Sequence, residues 1–372
     1  MSSASIPAHQ KELFGHPVGL YVLFFTEMWE RFSYYGMRAI LVLYLITEVQ
    51  ESNPGLGWTD GEALALYGWY TMMVYVMSVP GGYIADKFLG QKKSVLIGGI
   101  LLLIGHTTLA VEQMWAFYTG LVFIVLGVGM LKPNISTMVG GLYKQGDIRR
   151  DKGFTIFYIG INVGAFISSL VVGYVGEVYG WHYGFGLAGI GMGLGVLQYV
   201  FGLKYLSQVG NFLGDAKESQ VVMKAPLTKV EKDRVIVLLI SFLLVILFWG
   251  AFEQAGGLMN IYTMENTDRF LGDWQVPASW FQSINAMFII FFGTSVAVFW
   301  ANRKLKGKVS TSLFKMIVGL IIMGIGFFFM TGATAQYEAT GSSAMYWLVF
   351  AYLFHTIGEL CLSPVALSFV TK

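Results

Sequence analysis

Ten stretches of this chain are apolar enough to cross a bilayer, which takes about 20 residues of helix. They run approximately 17–47, 62–85, 94–111, 114–142, 154–177, 182–206, 234–262, 276–301, 312–335 and 344–370. A chain patterned in this way is expected to fold as an all-α integral membrane protein. Only 12% of its residues are charged, against roughly 25% in a soluble domain. Its 46 glycines suit the same setting, because small residues let membrane helices approach closely.

The connections between the spans alternate in charge. Those after spans 2, 4, 6 and 8 are basic, with Lys87, Lys92 and Lys93, then Lys144, Arg149, Arg150 and Lys152, then five cations from Lys217 to Arg234, then Arg303, Lys304, Lys306, Lys308 and Lys315. Those after the odd spans carry one basic residue between them, Arg269. Lys/Arg excess marks cytoplasmic loops. The expected protein is therefore multi-pass in the cytoplasmic (inner) membrane, with its N-terminus inside. The first sixteen residues lack the apolar core of a cleavable signal. A net charge of +2 gives no reason to expect a nucleic-acid partner, and the single cysteine, Cys361, excludes an intrachain disulfide. The longest connection, 207–233, is polar and contains Pro226. It is expected to be a cytoplasmic linker between an N-terminal six-helix bundle, 1–206, and four further helices, 234–372.

Seven ionisable residues lie well inside spans: Glu27, Glu30, Arg31, Arg38, Lys132, Glu253 and Glu359. Each costs about 2.5–3.5 kcal/mol at a helix centre, so seven facing lipid would cost roughly 20 kcal/mol. They are expected to pair or to line a wet cavity. They fall on spans 1, 4, 7 and 10 and on no others. That period of three is what a bundle of three-helix repeats would show, with its site near the midplane. Two of the three prolines within spans adjoin polar side chains, in Lys132-Pro133 and Ser363-Pro364, where a freed carbonyl and a kink are expected.

On a helix, Glu27, Glu30, Arg31, Tyr34, Tyr35 and Arg38 form one stripe about 140° wide. Adjacent Glu30 and Arg31 are not expected to meet. Glu27, one turn before Arg31, is its natural partner, and either acid can alternatively pair with Lys132. The seven charges sum to four acids against three bases, so one bound proton would neutralise the set.

The sequence resembles the proton-dependent oligopeptide transporter family of the major facilitator superfamily. "EMWERFSYYG" (27–36) fits E-x-x-E-R-F-x-Y-Y-G, and "GGYIADKFLGQKK" (81–93) looks like the superfamily's charged turn. "GMLKPNIS", "FYIGINVGAF", "FWGAFEQAGG", "WFQSIN" and "GELCLSP" follow in the family's order. The resemblance implies proton-coupled symport of di- and tripeptides by alternating access, without catalysis, metal or cofactor other than the coupling proton, in a protein that works as a monomer.

It also implies roles. Glu27, Glu30, Arg31, Lys132 and Glu253 would couple proton binding to transport. Arg38 and Lys132 would attract the peptide carboxylate, and Asn162, Asn285 and Glu359 would hold its amino end. Tyr34, Tyr35, Tyr75, Trp249 and Ser363 would complete the pocket. Two departures stand out. Ala286 follows Asn285 where the family usually has proline, so that helix is expected to be straighter. The superfamily's usual helices 11 and 12 are expected to be absent, leaving six helices plus four. The alternatives are the same fold moving nitrate or another small anion or metabolite, and a truncated fragment that does not transport.

His106 and His355 lie within spans and are read as structural. "GIGMGLG" (189–195) is read as a helix-packing stretch, since no strand precedes it.

Overall fold

A computed structural model of the protein describes residues 11–144, 146–212 and 228–370, with side chains as far as Ser363. It is helical nearly throughout. The helices are α1 (Val18–Ile46), α2 (Asp60–Val76), α3 (Ser78–Ile84), α4 (Gln91–Leu109), α5 (Met114–Gly141), α6 (Arg149–Val178) and α7 (Trp181–Gly202), then α8 (Lys229–Phe252), α9 (Leu258–Asn266), α10 (Ser283–Leu305), α11 (Ser312–Thr340) and α12 (Met345–Val370). Among the described residues, eight helical runs are long and apolar enough to cross a membrane. The chain divides into two compact units, Met1–Glu218 and Ser219–Lys372. Much of the expected linker, including Pro226, lies outside the described residues.

Local chemistry sets the helix ends. Thr59 and Glu62 form a reciprocal capping box at the start of α2, and Thr228 and Glu231 form another at the start of α8. Each box satisfies two of the N–H groups that a helix start leaves without partners. At the far end of α11, Gly341 takes a left-handed conformation (φ 81°) that a side chain would strain.

Two expected spans are broken, both for backbone reasons. Span 2 is not one helix: it ends at Val76 and resumes at Ser78. Pro80 has no N–H for the Val76 carbonyl four residues back, and its ring crowds that carbonyl. Span 7 stops at Phe252, passes through a tight turn at Glu253–Ala255 and the pair Gly256-Gly257, and resumes as α9. Pro133, by contrast, sits inside an unbroken α5.

In the first unit α1 packs along α6 and α7, and α4 packs along α5 and α7. The core is formed by α1 residues such as Leu20, Leu23, Met37, Ile40 and Leu41, all fully buried. A short hairpin pairs Glu12–Leu13 with His16–Pro17 ahead of α1. Arg149, at the start of α6, holds that hairpin. Its Nη1 donates to Glu12 Oε1 at 2.9 Å and to the Gly15 carbonyl at 3.1 Å, while Nη2 reaches Asp147 Oδ2 at 3.0 Å. His16 Nδ1 lies 2.8 Å from the Tyr143 hydroxyl. The Arg149 hydrogen bonds hold the Asp147 carboxyl below its ordinary range. Burial pushes the Tyr143 hydroxyl up to about 12, against the opposing charge of Arg149.

In the second unit α12 packs against α10 and α11. α11 and α12 approach closely at Gly319 and Gly358, where a Cβ on either would come within 2.7 Å of the other's carbonyl oxygen. One apolar cluster gathers Met259, Phe281, Leu348 and Tyr352, and a second gathers Phe248, Met316, Met323 and Leu362. The outer face of α8 is apolar and exposed, with Leu239, Leu243, Ile246 and Leu247 on it, as expected of a surface solvated by lipid.

Candidate functional site

The charged stripe of α1 is turned inward. Glu27, Glu30, Arg31 and Arg38 are all buried, and Glu30 is 0% exposed. Arg31 Nε lies 2.9 Å from Glu27 Oε1 and 2.5 Å from Glu30 Oε2. The expectation that neighbours Glu30 and Arg31 would not meet is therefore incorrect. The guanidinium sits on a long stem, which reaches back along its own turn to both acids even though the Cβ atoms diverge. Neither carboxylate is aligned for a straight hydrogen bond with that single N–H, and Glu27 Oε2, Glu30 Oε1 and Arg31 Nη2 find no hydrogen-bond partner among the described residues. Two carboxylates thus share one guanidinium, and the three groups carry a formal −1 until one acid takes a proton.

Close packing fixes this cluster. A Cβ placed on Gly164 of α6 would stand 3.0 Å from Arg31 Cβ and closer still to the Met28 carbonyl. On the α7 side, a Cβ on Gly195 would stand 2.8 Å from Trp29 Cβ. Only residues without side chains let α6 and α7 approach a helix bearing Trp, Arg and Phe this closely.

Aromatic rings cover the cations. Arg31 Cζ lies 5.7 Å from the ring centres of both Tyr34 and Tyr35, and Arg38 Cζ lies 4.6 Å from that of Tyr35. Tyr34 also meets Tyr35 edge-on at 5.4 Å and stacks on Tyr70 at 6.5 Å. Across to α5, half-buried Lys132 holds its Nζ 4.7 Å over the ring of Tyr75 on α2. Ring faces attract cations within about 6 Å, most strongly where water is excluded. Asn162 of α6 is buried, and its amide donates to the Tyr158 carbonyl at 2.9 Å within its own helix.

The second unit holds a separate polar group. Asn285, on the first turn of α10, donates to Glu359 Oε2 at 2.9 Å and to Thr356 Oγ1 at 3.0 Å, both on α12. Thr356 Oγ1 in turn donates a hydrogen bond to the Tyr352 carbonyl at 2.7 Å. Glu359 is 6% exposed. The sequence reading did not include Thr356, although it stands one helical turn before Glu359. It also overlooked Tyr70, which has no charge or motif to mark it.

The other expected site residues of this unit are Trp249, Glu253 and Ser363. Trp249 is packed edge-on against Phe248 (5.7 Å) and Phe252 (5.1 Å), at the border of an apolar cluster. Half-buried Glu253 opens the tight turn after α8, and half-buried Ser363 follows Glu359 by one turn of α12. No cluster of His, Cys, Asp or Glu suited to a metal is present among the described residues.

The sequence model of the POT family matches residues 92–220 and 213–372. The peptide transporter YePEPT of Yersinia enterocolitica subsp. palearctica is 35% identical over 97% of this chain and 83% of its own length. The di-/tripeptide transporter of Lactococcus lactis subsp. cremoris is 33% identical over 98% of this chain and 84% of its own. A crystal structure of a peptide transporter POT in complex with sulfate superposes with a TM-score of 0.83 at 36% identity, covering 98% of this chain and 84% of that one.

Proposed function

The chain belongs to the POT family, and on that premise we propose that it moves di- and tripeptides across the cytoplasmic membrane together with protons, by alternating access. α1 and the α2–α3 pair count in this reading as two further spans, giving ten. The basic connections lie in the cytoplasm with the N-terminus, and the units act as the two moving halves. No second subunit is required.

One observation carries the proton-coupling part. Glu27 and Glu30 share the single guanidinium of Arg31 in a site closed to solvent. An uncompensated charge there costs several kcal/mol. A proton on either carboxylate, or a second cation brought to the acids, removes that cost. Lys132 is the candidate second cation, and it also carries the peptide carboxylate with Arg38. A state with the peptide bound then draws Lys132 away from the acids and favours the proton. Protonation and peptide occupancy are coupled through competition for the same cations.

A peptide is a zwitterion, and each of its ends needs an opposite charge. Arg38 and Lys132 suit the carboxylate end, with Tyr34, Tyr35, Tyr75 and Asn162 as polar and aromatic lining in the same unit. Glu359 and Asn285 suit the ammonium end, and Trp249 and Ser363 are the further pocket residues proposed in their unit. Glu253 acts as a gate residue at the break after α8. The proton is the coupling ion, and no other cofactor enters.

The test is uptake by the protein in liposomes. Labelled dialanine should accumulate when the outside is acidic, and a protonophore should abolish that accumulation. Unlabelled di- and tripeptides should compete, whereas nitrate should not. Accumulation that ignores the protonophore, or competition by nitrate alone, overturns the reading.

A further inference from the structure

The peptide-transport reading makes no use of a recess at the C-terminal end of α10. Phe299, Asn302, Arg303, Lys306 and Lys308 line it, with a volume of about 250 Å³. It is smaller than the ~300–1,000 Å³ typical of a small-molecule pocket, so it suits a headgroup rather than a whole ligand.

Its charge is of one sign. No Asp or Glu occurs between Asp273 and Glu338, while Arg303, Lys304, Lys306, Lys308 and Lys315 all do. A cytoplasmic loop is expected to be basic, which accounts for the sign but not for the arrangement. Arg303 is held in place: its Nε donates to the Val309 carbonyl at 2.9 Å, and its Cζ sits 5.3 Å over the Phe314 ring. The helix end does not need the lysines either. Lys306, Gly307 and Lys308 give their backbone N–H groups to the carbonyls of Asn302, Lys304 and Arg303 at 3.0–3.1 Å, closed by Gly307 at φ 67°. Lys306 and Lys308 also line the recess and have no acidic partner among the described residues.

The rim is apolar. Phe299 is 56% exposed, Val309 58% and Leu305 85%. A free anion gains nothing from such a rim, whereas a molecule with a phosphate at one end and acyl chains at the other uses both parts. Basic pockets at the cytoplasmic ends of membrane helices suit such headgroups. We propose that this recess is a phosphate-headgroup site that holds an anionic phospholipid of the adjoining leaflet.

Native mass spectrometry of the full chain from detergent tests this, with phosphatidylglycerol, phosphatidylcholine and inorganic phosphate as probes. The wild type should retain phosphatidylglycerol about tenfold more tightly than phosphatidylcholine. Arg303→Gln with Lys306→Gln and Lys308→Gln should erase that preference. Lys229→Gln with Lys232→Gln and Arg234→Gln, which remove equal charge from the start of α8, should keep it. The single variant Lys308→Gln, at an exposed position, should show a partial loss even if the triple variant folds poorly. Equal loss in both triple variants, or no preference in the wild type, overturns the proposal. So does millimolar phosphate that displaces the lipid or protects against heat as well as the lipid does, which would make this a free-anion site.

Discussion

The Asn285 amide nitrogen stands 2.9 Å from Glu359 Oε2 and 3.0 Å from Thr356 Oγ1, so one side chain on α10 joins two successive turns of α12. Each hydrogen of the amide has its own acceptor, which ties Glu359 Oε2 to α10. If that carboxylate receives the peptide's ammonium group, Glu359→Gln should weaken dipeptide binding. A hydrogen bond to a charged group contributes about 1.5–3 kcal/mol, roughly 10–150-fold in affinity. Asn285→Ala should weaken it less, and the two changes together should fall short of additive by more than ~0.5 kcal/mol. Dipeptide titration in detergent measures this, and simple additivity would separate the two residues.

Removing Arg31 should harm folding more than removing either acid. Arg31→Met leaves two buried carboxylates without their cation, at a cost of about 3–5 kcal/mol. Adding Glu27→Gln and Glu30→Gln to that variant should recover most of the loss, as read by thermal unfolding in detergent.

The same acids should separate exchange from accumulation. Glu27→Gln or Glu30→Gln removes the site's need for a proton while leaving a neutral hydrogen-bonding amide. Gradient-driven dipeptide uptake should fall to background, and counterflow with peptide on both sides should persist. Counterflow lost in parallel with uptake would argue against a coupling role.

Gly164→Val should be tolerated far worse than Gly68→Ala. A Cβ at position 164 runs into the Met28 carbonyl and Arg31 Cβ, whereas one at 68 meets nothing within 4 Å. Overpacking costs about 1–3 kcal/mol, and glycine to alanine in an open helical position returns about 0.5–1 kcal/mol. Unfolding midpoints of the two variants should move in opposite directions.

The Arg149–Asp147 tie should survive mild acid. The Asp147 carboxyl is held below its ordinary value of 3.8 by hydrogen bonds from Arg149. Its contribution is thus fully present above that value and is lost as pH falls through the lower folded one. Asp147→Asn should lower the unfolding midpoint slightly at pH 6, and the gap from wild type should close only below about pH 4.

The expected spans were legible where one signal dominated. α1 runs Val18–Ile46 against an expected 17–47, and α5 runs Met114–Gly141 against 114–142, because apolar length alone sets such helices. The buried stripe of α1 was legible too, since lipid excludes its charges and the helical period puts them on one side. Breaks were harder to see. Pro80 and Pro133 both lie within expected spans, yet one interrupts its helix and the other does not. The shared grip of Glu27 and Glu30 on Arg31 depends on the reach of a flexible stem, which spacing does not describe. The junction of Asn285 with Thr356 and Glu359 joins residues more than seventy positions apart, and only family resemblance put two of the three in one role.

The glycine contacts along α1 have a mechanical corollary. With backbone from α6 against Arg31, backbone from α7 against Trp29, and Val172 of α6 seated on Gly36, this rod has no slack in which to roll about its long axis. On the proposed coupling role, titration of its acids would be felt as a change of electric field by neighbours that can move, while the rod itself stays as still as a fixed electrode.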